Sequence, residues 1–467
     1  MQITFHGAAQ TVTGSKHLIT TGRNKRILLD CGLFQNTGGD NKNINRHFGF
    51  DPLTIDLLIL SHAHIDHSGL IPFLVNQGYR GPIYCTPATH DLCEIMLADS
   101  AHIQESDVMY VNKKRSRNGQ RPIDALYTLE DVNEALKLFK PIPLDQWHEV
   151  NSHIRFSFSD TGHILGSAAI NLDLDEPEGR TRIFFSGDIG RYNDIILRDP
   201  QPFPQADYII NESTYGDRLH ESGTDAQKHL LEIVRDTCVA RQGKLVIPAF
   251  SLGRTQEIVY TLNLLSNSGE LPRIPVYVDS PLAINATAIM FKHRMSFNPA
   301  IIETMQQDPD PFGFDNLVYI RDTDSSKALN DLDEPCIIIS ASGMLEAGRI
   351  KHHIKNTIGD SKNTILIVGF VPPGSLGARL IEGQPEVKIF GQPYAVRAKV
   401  EVLAAYSAHA DYEEMMRYLR CQDASSVKRV FLVHGEPEAQ LSFKTHLHGM
   451  GFRDIVIPMQ GESFSLD

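Results

Sequence analysis

The stretch SHAHIDH, residues 61–67, follows the apolar strand pattern DLLIL of residues 56–60. It brings three imidazoles and one carboxylate together within six residues, those of His62, His64, His67 and Asp66. Imidazole nitrogens and carboxylate oxygens are ligands that zinc accepts at about 2.0–2.2 Å. A loop that follows a strand can curve, so that neighbouring side chains in it can bind two different ions. The spacing and the position after a strand predict part of a metal site rather than a solvated histidine-rich loop.

Further ligands must come from elsewhere in the chain, and three other strand patterns end in residues of ligand type. His163 follows the pattern HIRFSFSD, Asp188 ends RIFFSGD, and His434 ends RVFLVHGE. Taken singly, each residue would more often belong to a turn or a cap. Together with the histidine loop, they predict one convergent metal site. A carboxylate such as that of Asp188 can bridge two cations, which suits a site with ions about 3.5–4 Å apart.

The composition is that of an acidic globular protein. The chain has 467 residues, with 44 lysines and arginines against 57 aspartates and glutamates, a net charge of −13, and 42% hydrophobic residues. The hydrophobic fraction excludes wholesale disorder, and the length predicts two domains. The acidic balance argues against a protein that grips nucleic acid by bulk charge, so that any basic surface must be local.

The cysteines and the absence of targeting signals bear on location. Six cysteines are scattered without a CxxC pair, which indicates a reducing compartment. The sequence shows no signal peptide and no apolar run of about 18 residues. We therefore expect a cytoplasmic protein with no membrane partner.

The order of strand and helix patterns indicates one α/β domain interrupted by a second. Short strand patterns fill the first part of the chain, and from about Glu212 apolar strands alternate with helices, as in a covered parallel sheet. Near Val400 the earlier pattern returns. The predicted segments are 1–212 and 399–467 for the outer domain and 213–398 for the inserted domain.

A long helical pattern lies in the first segment. Its apolar residues recur at helical spacing from about Pro87 to Val111. The next residues, NKKRSRNGQR at 112–121, are polar and basic. They predict an exposed loop.

The ordered set SHAHIDH, TGH, SGD and VHGE resembles the metallo-β-lactamase superfamily. Further motifs resemble its β-CASP branch of nucleases, which includes the pre-mRNA 3′-end endonuclease and bacterial ribonuclease J. The resemblance covers essentially the whole chain and implies an αβ/βα four-layer sandwich with an inserted α/β β-CASP domain. The β-CASP motifs are ESTYGD (212–217), PAFSLGRTQE (248–257), SASGML (340–345), YSAHAD (406–411) and LVHGE (432–436).

The resemblance also implies two zinc ions per chain. A hydroxide between the ions would attack the phosphorus of a phosphodiester and leave 5′-phosphate and 3′-hydroxyl ends. The chemistry agrees, because metal binding brings the pKa of water towards about 7 and two ions neutralise charge on the attacking and leaving oxygens. Manganese suits such ligands to a degree as well. The implied ligands are His62, His64 and His163 for one ion and Asp66, His67 and His434 for the other, with Asp188 as the bridge.

Three more residues match family motifs. Asp30, at the end of RILLD, would orient ligands rather than bind zinc, although alone it would be taken for a turn residue. Glu212 and His409 match a paired acid and histidine that contact the scissile phosphate, with His409 as the candidate proton donor to the leaving 3′-oxygen. A histidine beside a carboxylate can remain cationic near neutral pH. The alternative for His409 is packing before a helix that Asp411 caps.

Phosphate contacts are expected at loops that follow buried strands of the inserted domain. SASGMLEAGRI follows a strand and opens a helix, so its backbone N–H groups are available to bind phosphate. The basic run at 349–355 could equally be a solvated helix face. A second loop, at 369–380, also follows a strand and opens a helix. The arginine of SLGRTQE could likewise either contact phosphate or lie on the solvated surface at the start of a helix. The candidate contacts are Ser342, Gly343, Arg349, Ser375, Arg379 and Arg254.

The sequence thus predicts a zinc-dependent ribonuclease that cuts single-stranded RNA endonucleolytically, with 5′-to-3′ exonuclease action also open. In the family, a histidine at the place of His434 accompanies RNA substrates, whereas DNA-processing relatives have valine there. Two alternatives remain. A hydrolase of small esters or thioesters would not explain the inserted domain, and a non-catalytic RNA-binding subunit would have lost metal ligands. The oligomeric state stays open, a homodimer included.

Overall fold

The computed structural model describes residues 1–35, 44–220, 223–345, 347–369, 371, 374–403 and 407–466. Contacts between residues divide the chain into two compact units. The first unit joins Met1–Leu219 to His409–Asp467, and the second is His220–Ala408. The two ends of the chain therefore build one unit, and the middle of the chain builds the other.

The first part of the first unit consists mainly of strands, with its α-helices between residues 65 and 136. Its strands are β1 (Gln2–Phe5), β2 (His17–Thr20), β3 (Arg26–Leu29), β4 (Leu57–Ile59), β5 (Ile83–Cys85), β6 (Phe139–Pro141), β7 (His148–Asn151), β8 (Ile154–Asp160), β9 (Ala168–Glu176), β10 (Gly179–Phe185) and β11 (Tyr208–Glu212). Its helices are α1 (Ile65–Ser68), α2 (Ile71–Asn76), α3 (Pro87–Arg117) and α4 (Leu129–Leu136), with a 3-10 turn at Pro52–Thr54.

Helix α3 is longer than the sequence predicted. It begins after the cap Thr86, whose side chain accepts from the backbone N–H of Thr89, and has proline at its first position. It continues through Arg117, so that residues 112–117 are helical and the predicted loop at 112–121 is wrong for this part. Lysine and arginine are good helix formers, and the helix stops only at Asn118, before Gly119 with its φ of 65°.

The second unit is built on a parallel sheet. Its strands are β12 (Leu245–Pro248), β13 (Val276–Asp279), β14 (Leu317–Tyr319), β15 (Ile337–Ser340), β16 (Thr364–Ile367), β17 (Glu386–Ile389), β18 (Gln392–Ala395) and β19 (Lys399–Val402). They run in the order β14-β13-β15-β12-β16-β19, each parallel to its neighbours, and β17 and β18 form a separate antiparallel pair. The helices are α5 (Gly223–Val234), α6 (Arg254–Asn267), α7 (Pro281–Lys292), α8 (Pro299–Gln307), α9 (Thr323–Asp331), α10 (Ile350–Thr357) and α11 (Leu376–Ile381), with a π-helical turn at Arg235–Ala240 and a 3-10 turn at Arg294–Ser296.

The chain then returns to the first unit and completes two sheets. The returning elements are α12 (Tyr412–Leu419), β20 (Arg429–Val433), α13 (Pro437–Gly449), β21 (Ile455–Val456) and β22 (Ser463–Ser465). One sheet has the order β22-β1-β2-β3-β4-β5-β6, and the other β21-β20-β11-β10-β9-β8-β7. In the second of these, β10, β11 and β20 are parallel neighbours, so their carboxyl ends meet at one edge.

The two sheets of the first unit pack face to face. Ile27 and Ile59 of one sheet share a buried cluster with Phe185 and Phe431 of the other. The alternate side chains of these strands, such as Phe184 next to Phe185, point to the other face of the sheet. There they pack in a second cluster with α12 and α13. This layering is the αβ/βα sandwich that the sequence predicted, and the second unit is the inserted α/β domain.

The predicted segment boundaries stay a prediction. Strand β19 hydrogen-bonds to β16 and so lies in the sheet of the second unit, although the sequence assigned residues 399–402 to the outer domain. None of the helices in the described part of the chain is long and apolar enough to cross a membrane.

Candidate metal centre

The side chains of the predicted site stand at the ends of strands in the first unit. The histidine loop follows β4 and turns directly into α1, which holds Asp66 and His67. His163 follows β8, and Asp188 follows β10. Because β10 and β20 lie on either side of β11 and run parallel to it, Asp188 and His434 emerge at the same edge of the sheet.

A backbone clamp holds the histidine loop in place. Cys31 and Leu33 donate backbone hydrogen bonds to the carbonyls of His67 and Ile65, at 2.7 and 2.9 Å. Gly32 lies between them, and a β-carbon on it would lie 1.6 Å from the carbonyl oxygen of Asp66. Only a glycine permits this close approach.

Three histidines and one carboxylate form a first group of possible ligands. His64 Nδ1 lies 3.1 Å from His62 Nε2 and 3.2 Å from His163 Nε2. Asp188 Oδ2 lies 3.5 and 3.4 Å from the same two Nε2 atoms. Ligand atoms around a tetrahedral zinc, bonded at about 2.1 Å, are about 3.4 Å apart. These four side chains therefore have the mutual spacing of a tetrahedral metal site.

A second group shares the other oxygen of the same carboxylate. Asp188 Oδ1 lies 3.2 Å from His67 Nε2 and 3.7 Å from His434 Nε2, and His434 Nε2 lies 3.5 Å from Asp66 Oδ2. The ligand atoms of Asp66, His67 and His434 all lie within 4.8 Å of one another. Asp188 thus directs one oxygen to each group, as a carboxylate that bridges two cations would.

Orphaned buried atoms show that this second group fits a cation. The atoms His67 Nε2, His434 Nε2 and Asp188 Oδ1 are buried and, among the described residues, make no hydrogen bond. A buried polar atom without a partner is costly. A divalent cation would accept the lone pairs of all three, so the residues present fit the metal that the chemistry of the donor set implies.

Asp30 supports the ligands from behind. Its Oδ2 accepts from His67 Nδ1 at 2.6 Å and from the Ser61 hydroxyl at 2.9 Å, and its Oδ1 accepts from the Ser61 backbone N–H at 2.8 Å. The Ser61 oxygen in turn lies 3.0 Å from His62 Nδ1. With the hydrogens of His62 and His67 on Nδ1, both Nε2 atoms keep their lone pairs for a metal.

Thr214 makes a matching connection on the other side of the centre. Its hydroxyl donates to Glu212 Oε2 at 2.6 Å and lies 3.0 Å from His434 Nδ1, from which it can accept. His434 is thereby oriented with Nε2 towards Asp66 and Asp188. Neither hydroxyl was predicted from the sequence, although Ser61 precedes His62 in SHAHIDH and Thr214 lies two residues after Glu212 in ESTYGD.

Glu212 and His409 form a pair beside the ligands. His409 Nδ1 lies 3.1 Å from Glu212 Oε2 and 3.3 Å from Oε1, and Glu212 also accepts from the backbone N–H of Ile189. Burial disfavours the charged imidazole, but the charges of Glu212 and Asp188 outweigh it and raise the pKa of His409 to about 9. The imidazole side chain remains 20% exposed. Asp411 caps α12 with a capping box, as predicted.

Burial and the neighbouring charges together shift the pKa values of the ligands. It lowers the pKa of His62 well below its usual value and that of His64 to about 4, so both are neutral at pH 7, as ligands must be. Around Asp66, burial is outweighed by the neighbouring imidazoles, which lower its pKa to about 2. Burial is likewise outweighed at His67, where Asp188 and Asp30 raise the pKa.

The six candidate phosphate contacts all lie in the second unit, and several already have internal partners. Arg254 is buried and paired with Glu257. Arg349 is bonded to Asp279 Oδ1 at 2.6 Å, and the buried His353 of the same basic run is bonded to Asp279 Oδ2 at 2.7 Å. The run at 349–355 is therefore only in part a solvated face.

The other four contacts are placed as follows. Ser375 caps α11 by accepting from the Ala378 backbone N–H at 3.1 Å. Ser342 donates to the Ala347 carbonyl at 3.3 Å, and Gly343 faces the ring of Phe250. Arg379 keeps a buried Nε that makes no hydrogen bond within the described ranges. Phosphate binding by these residues stays a prediction.

Comparisons with known proteins agree with the two-unit architecture. Residues 14–231 match the metallo-beta-lactamase superfamily, residues 255–380 match the Beta-Casp domain, and residues 393–458 match the Zn-dependent metallo-hydrolase RNA specificity domain. The chain is 37% identical over 442 residues to Ribonuclease TTHA0252 of Thermus thermophilus, with 95% of each chain covered. It is 32% identical to an RNase J-like protein of Methanocaldococcus jannaschii, with 94% of this chain and 93% of the relative covered.

Longer archaeal proteins are similar as well. The chain is 31% identical to Transcription termination factor FttA of Methanosarcina mazei, and the match covers 94% of this chain and 67% of that protein.

Proposed function

The chain belongs to the β-CASP family of metal-dependent hydrolases in the metallo-β-lactamase superfamily, and we propose on that premise that it is a zinc-dependent ribonuclease. The observation that carries the proposal is the arrangement around Asp188, whose two oxygens face two separate groups of ligand atoms. Such an arrangement suits two ions that share one carboxylate.

We assign one zinc to His62, His64 and His163 and the other to Asp66, His67 and His434, with Asp188 between them. When bound, the two ions supply Lewis acidity and an activated water at neutral pH. The chain supplies the rest. Asp30 and Thr214 hold His67 and His434 in the tautomer that binds metal, and Asp66 places a carboxylate beside His434.

The Glu212–His409 pair would handle the proton of the leaving group. Glu212 accepts from the Ile189 backbone N–H and from His409, which fixes the ring and keeps it cationic near neutral pH. His409 would donate its proton to the 3′-oxygen that departs from the phosphorus. The fractional exposure of the ring leaves an edge for a substrate to reach.

RNA as the substrate is supported by the match of residues 393–458 and by the names of two relatives, a ribonuclease and an RNase J-like protein. We further propose single-stranded RNA, endonucleolytic cleavage with 5′-to-3′ exonuclease action open, and a cytoplasmic location. The location rests on the cysteine pattern, in which the thiols are free.

Labelled RNA tests the proposal directly. We expect zinc-loaded protein to cut 5′-labelled and 3′-labelled single-stranded RNA and to leave 5′-phosphate ends. Mass spectrometry of the metals should give two zinc ions per chain. RNA left intact by fully metallated protein would refute the nuclease assignment, and turnover of a thioester in its place would favour the small-ester hydrolase.

The variant Asp66→Ala separates chemistry from binding. Cleavage should collapse, because the second group loses one of its ligands, whereas RNA binding should survive. Preserved cleavage would contradict the two-metal arrangement. Loss of one zinc per chain in the variant is a readout that does not depend on activity.

A further inference from the structure

The last turns of helix α3 carry a cluster of cations that the metal centre does not use. Lys113, Lys114, Arg117 and Arg121 are exposed, and Arg115 is half-buried. No acidic residue occurs from 108 to 123, in a chain whose net charge is −13. None of the five cations makes an ion pair with a carboxylate of the described residues, so this surface has an uncompensated charge.

Three of these cations share one face of the helix with an aromatic ring. At 100° per residue, Tyr110, Lys113, Lys114 and Arg117 fall within a sector of about 100°. Tyr110 is 75% exposed, far more than an aromatic side chain that serves the core. We call Tyr110, Lys113, Lys114, Arg117 and Arg121 the basic stripe.

The structure holds the last member of the stripe in place. Arg115 Nε donates to the carbonyl of Arg121 at 2.7 Å. The Asn112 side chain both donates to and accepts from the backbone of Ile123, at 2.8 Å each. The segment after α3, which includes Arg121, is thereby fastened back to the helix instead of forming a free loop.

Like charges held together in this way repel one another. Lys113 and Arg117 are four residues apart on the helix, a spacing at which equal charges are destabilising. The negative end of the helix dipole offsets part of this repulsion. A polyanion laid along the stripe would relieve the rest.

The opposite end of α3 is attached to the metal centre. Thr86 and Thr89 donate their hydroxyl hydrogens to the carbonyl of Gly166, at 2.7 and 2.8 Å, and Gly166 belongs to the loop that carries His163. With 31 residues and a rise of 1.5 Å per residue, the helix is about 46 Å long. The stripe is therefore remote from the ligands but connected to them by a single helix.

We propose that the basic stripe is a binding surface for the backbone of single-stranded RNA, separate from the metal centre. The proposal rests on the ribonuclease function proposed above. Lysine and arginine would neutralise phosphates, and Tyr110 would stack on a base, the combination by which proteins bind single strands without reading sequence. Only an RNA long enough to reach from the centre to the stripe gains from both contacts, so affinity should depend on RNA length.

The test compares two four-site variants that lose the same charge. The stripe variant is Lys113→Gln, Lys114→Gln, Arg117→Gln and Arg121→Gln. The control variant is Lys137→Gln, Lys140→Gln, Arg420→Gln and Arg453→Gln, exposed cations elsewhere on the first unit.

Binding of fluorescein-labelled oligouridine is measured by anisotropy in the Asp66→Ala background. For an oligouridine of roughly 30 nucleotides, the stripe variant should bind at least about tenfold more weakly at low salt, and its slope of log affinity against log salt should shrink by up to about 3. The control variant should bind like the parent. Tyr110→Ala should weaken binding about fivefold, and Tyr110→Phe should not.

Cleavage in the otherwise wild-type protein gives the second readout. The stripe variant should raise KM for the long RNA and leave kcat unchanged, with cleavage of an oligouridine of roughly six nucleotides unaffected. Equal losses of RNA affinity in the stripe and control variants would overturn the proposal. An equal rise in KM for the short RNA and the long RNA would overturn it as well. So would unchanged RNA affinity, the result expected if the stripe docks a protein. A parent protein that neither binds nor cuts any RNA would instead refute the ribonuclease function itself.

Discussion

The carboxylate of Asp30 should strengthen zinc binding, although Asp30 is not one of the proposed ligands. Its two oxygens accept from His67 Nδ1 at 2.6 Å and from the Ser61 backbone N–H at 2.8 Å. The variant Asp30→Asn keeps the shape of the side chain but turns one acceptor into an NH₂ donor. Whichever way the amide turns, one of these two hydrogen bonds must then be reversed or lost.

Both orientations of the amide have a definite cost. If the NH₂ group faces His67, the imidazole must move its hydrogen to Nε2, the atom that would bind metal. If it faces the N–H of Ser61, a buried backbone donor loses its acceptor, at about 1–3 kcal/mol. Loss of a hydrogen bond behind a metal ligand weakens metal binding about 10–100-fold, which corresponds to about 1.4–2.8 kcal/mol.

Zinc binding and stability can be measured separately for this variant. Dialysis against chelator-buffered zinc, followed by metal analysis, gives the affinity for each ion. Thermal unfolding in excess chelator gives the stability of the metal-free protein. Asp331→Asn, at an exposed carboxylate on α9, is the matched control. An Asp30→Asn protein with unchanged zinc affinity and unchanged melting temperature would refute the assigned role of Asp30.

Three other substitutions test the same structure. Thr214→Val should weaken binding of the second zinc about tenfold, because His434 loses the partner of its Nδ1, whereas Thr214→Ser should retain it; equal affinities would contradict the orientation of His434. Burial raises the pKa of Asp160 from 3.8 to about 6, because the folded state favours the neutral acid. The contribution of Asp160 to the free energy of unfolding is therefore fully present below pH 4 and is lost as the pH rises through 6. Asp160→Asn, which keeps the acceptor for the Gly162 N–H, should therefore stabilise the protein by up to about 3 kcal/mol at pH 7 and by little at pH 4, and equal denaturant midpoints at both pH values would count against this burial cost. Gly32→Ala places a methyl group 1.6 Å from the Asp66 carbonyl oxygen, and we expect a lower melting temperature and less bound zinc; a protein with normal stability and zinc content would show that the clamp can move.

The ligand atoms could be anticipated from the sequence because of one property of parallel sheets. Strands that run the same way end at the same edge, so apolar patterns that end in Asp188 and His434 point to a common place. The pairing of β10 and β20 with β11 gives this convergence its physical basis. The strand and helix patterns predicted an α/β domain interrupted by a second, and the resemblance to the family implied the four-layer sandwich.

The supporting hydroxyls could not be anticipated in this way. Serine and threonine occur in turns, caps and strands alike, so Ser61 and Thr214 carry no local signal of their partners. Their roles depend on Asp30 and His434, which are 31 and 220 residues away in sequence. Such pairs can be identified only in the folded structure, where the strands that carry them lie side by side.

Two of the three arginines that the sequence singled out differ in how far away their partners lie in the sequence. Arg254 pairs with Glu257, three residues further along its own helix, a spacing that sequence reading could have used. Arg349 pairs with Asp279, 70 residues earlier, and no local pattern indicates it. The end of α3 could not be predicted for another reason. A run of lysine and arginine is compatible with both an exposed helix and a solvated loop.

The place of β20 in its sheet has a consequence for biosynthesis. This strand lies between β11 and β21, and it delivers His434 to the centre only after more than four hundred preceding residues have been translated. A nascent chain that has not reached Val433 lacks both an inner strand and a ligand. The proposed nuclease would therefore lack a complete metal centre until this strand has been synthesised and has paired with its neighbours.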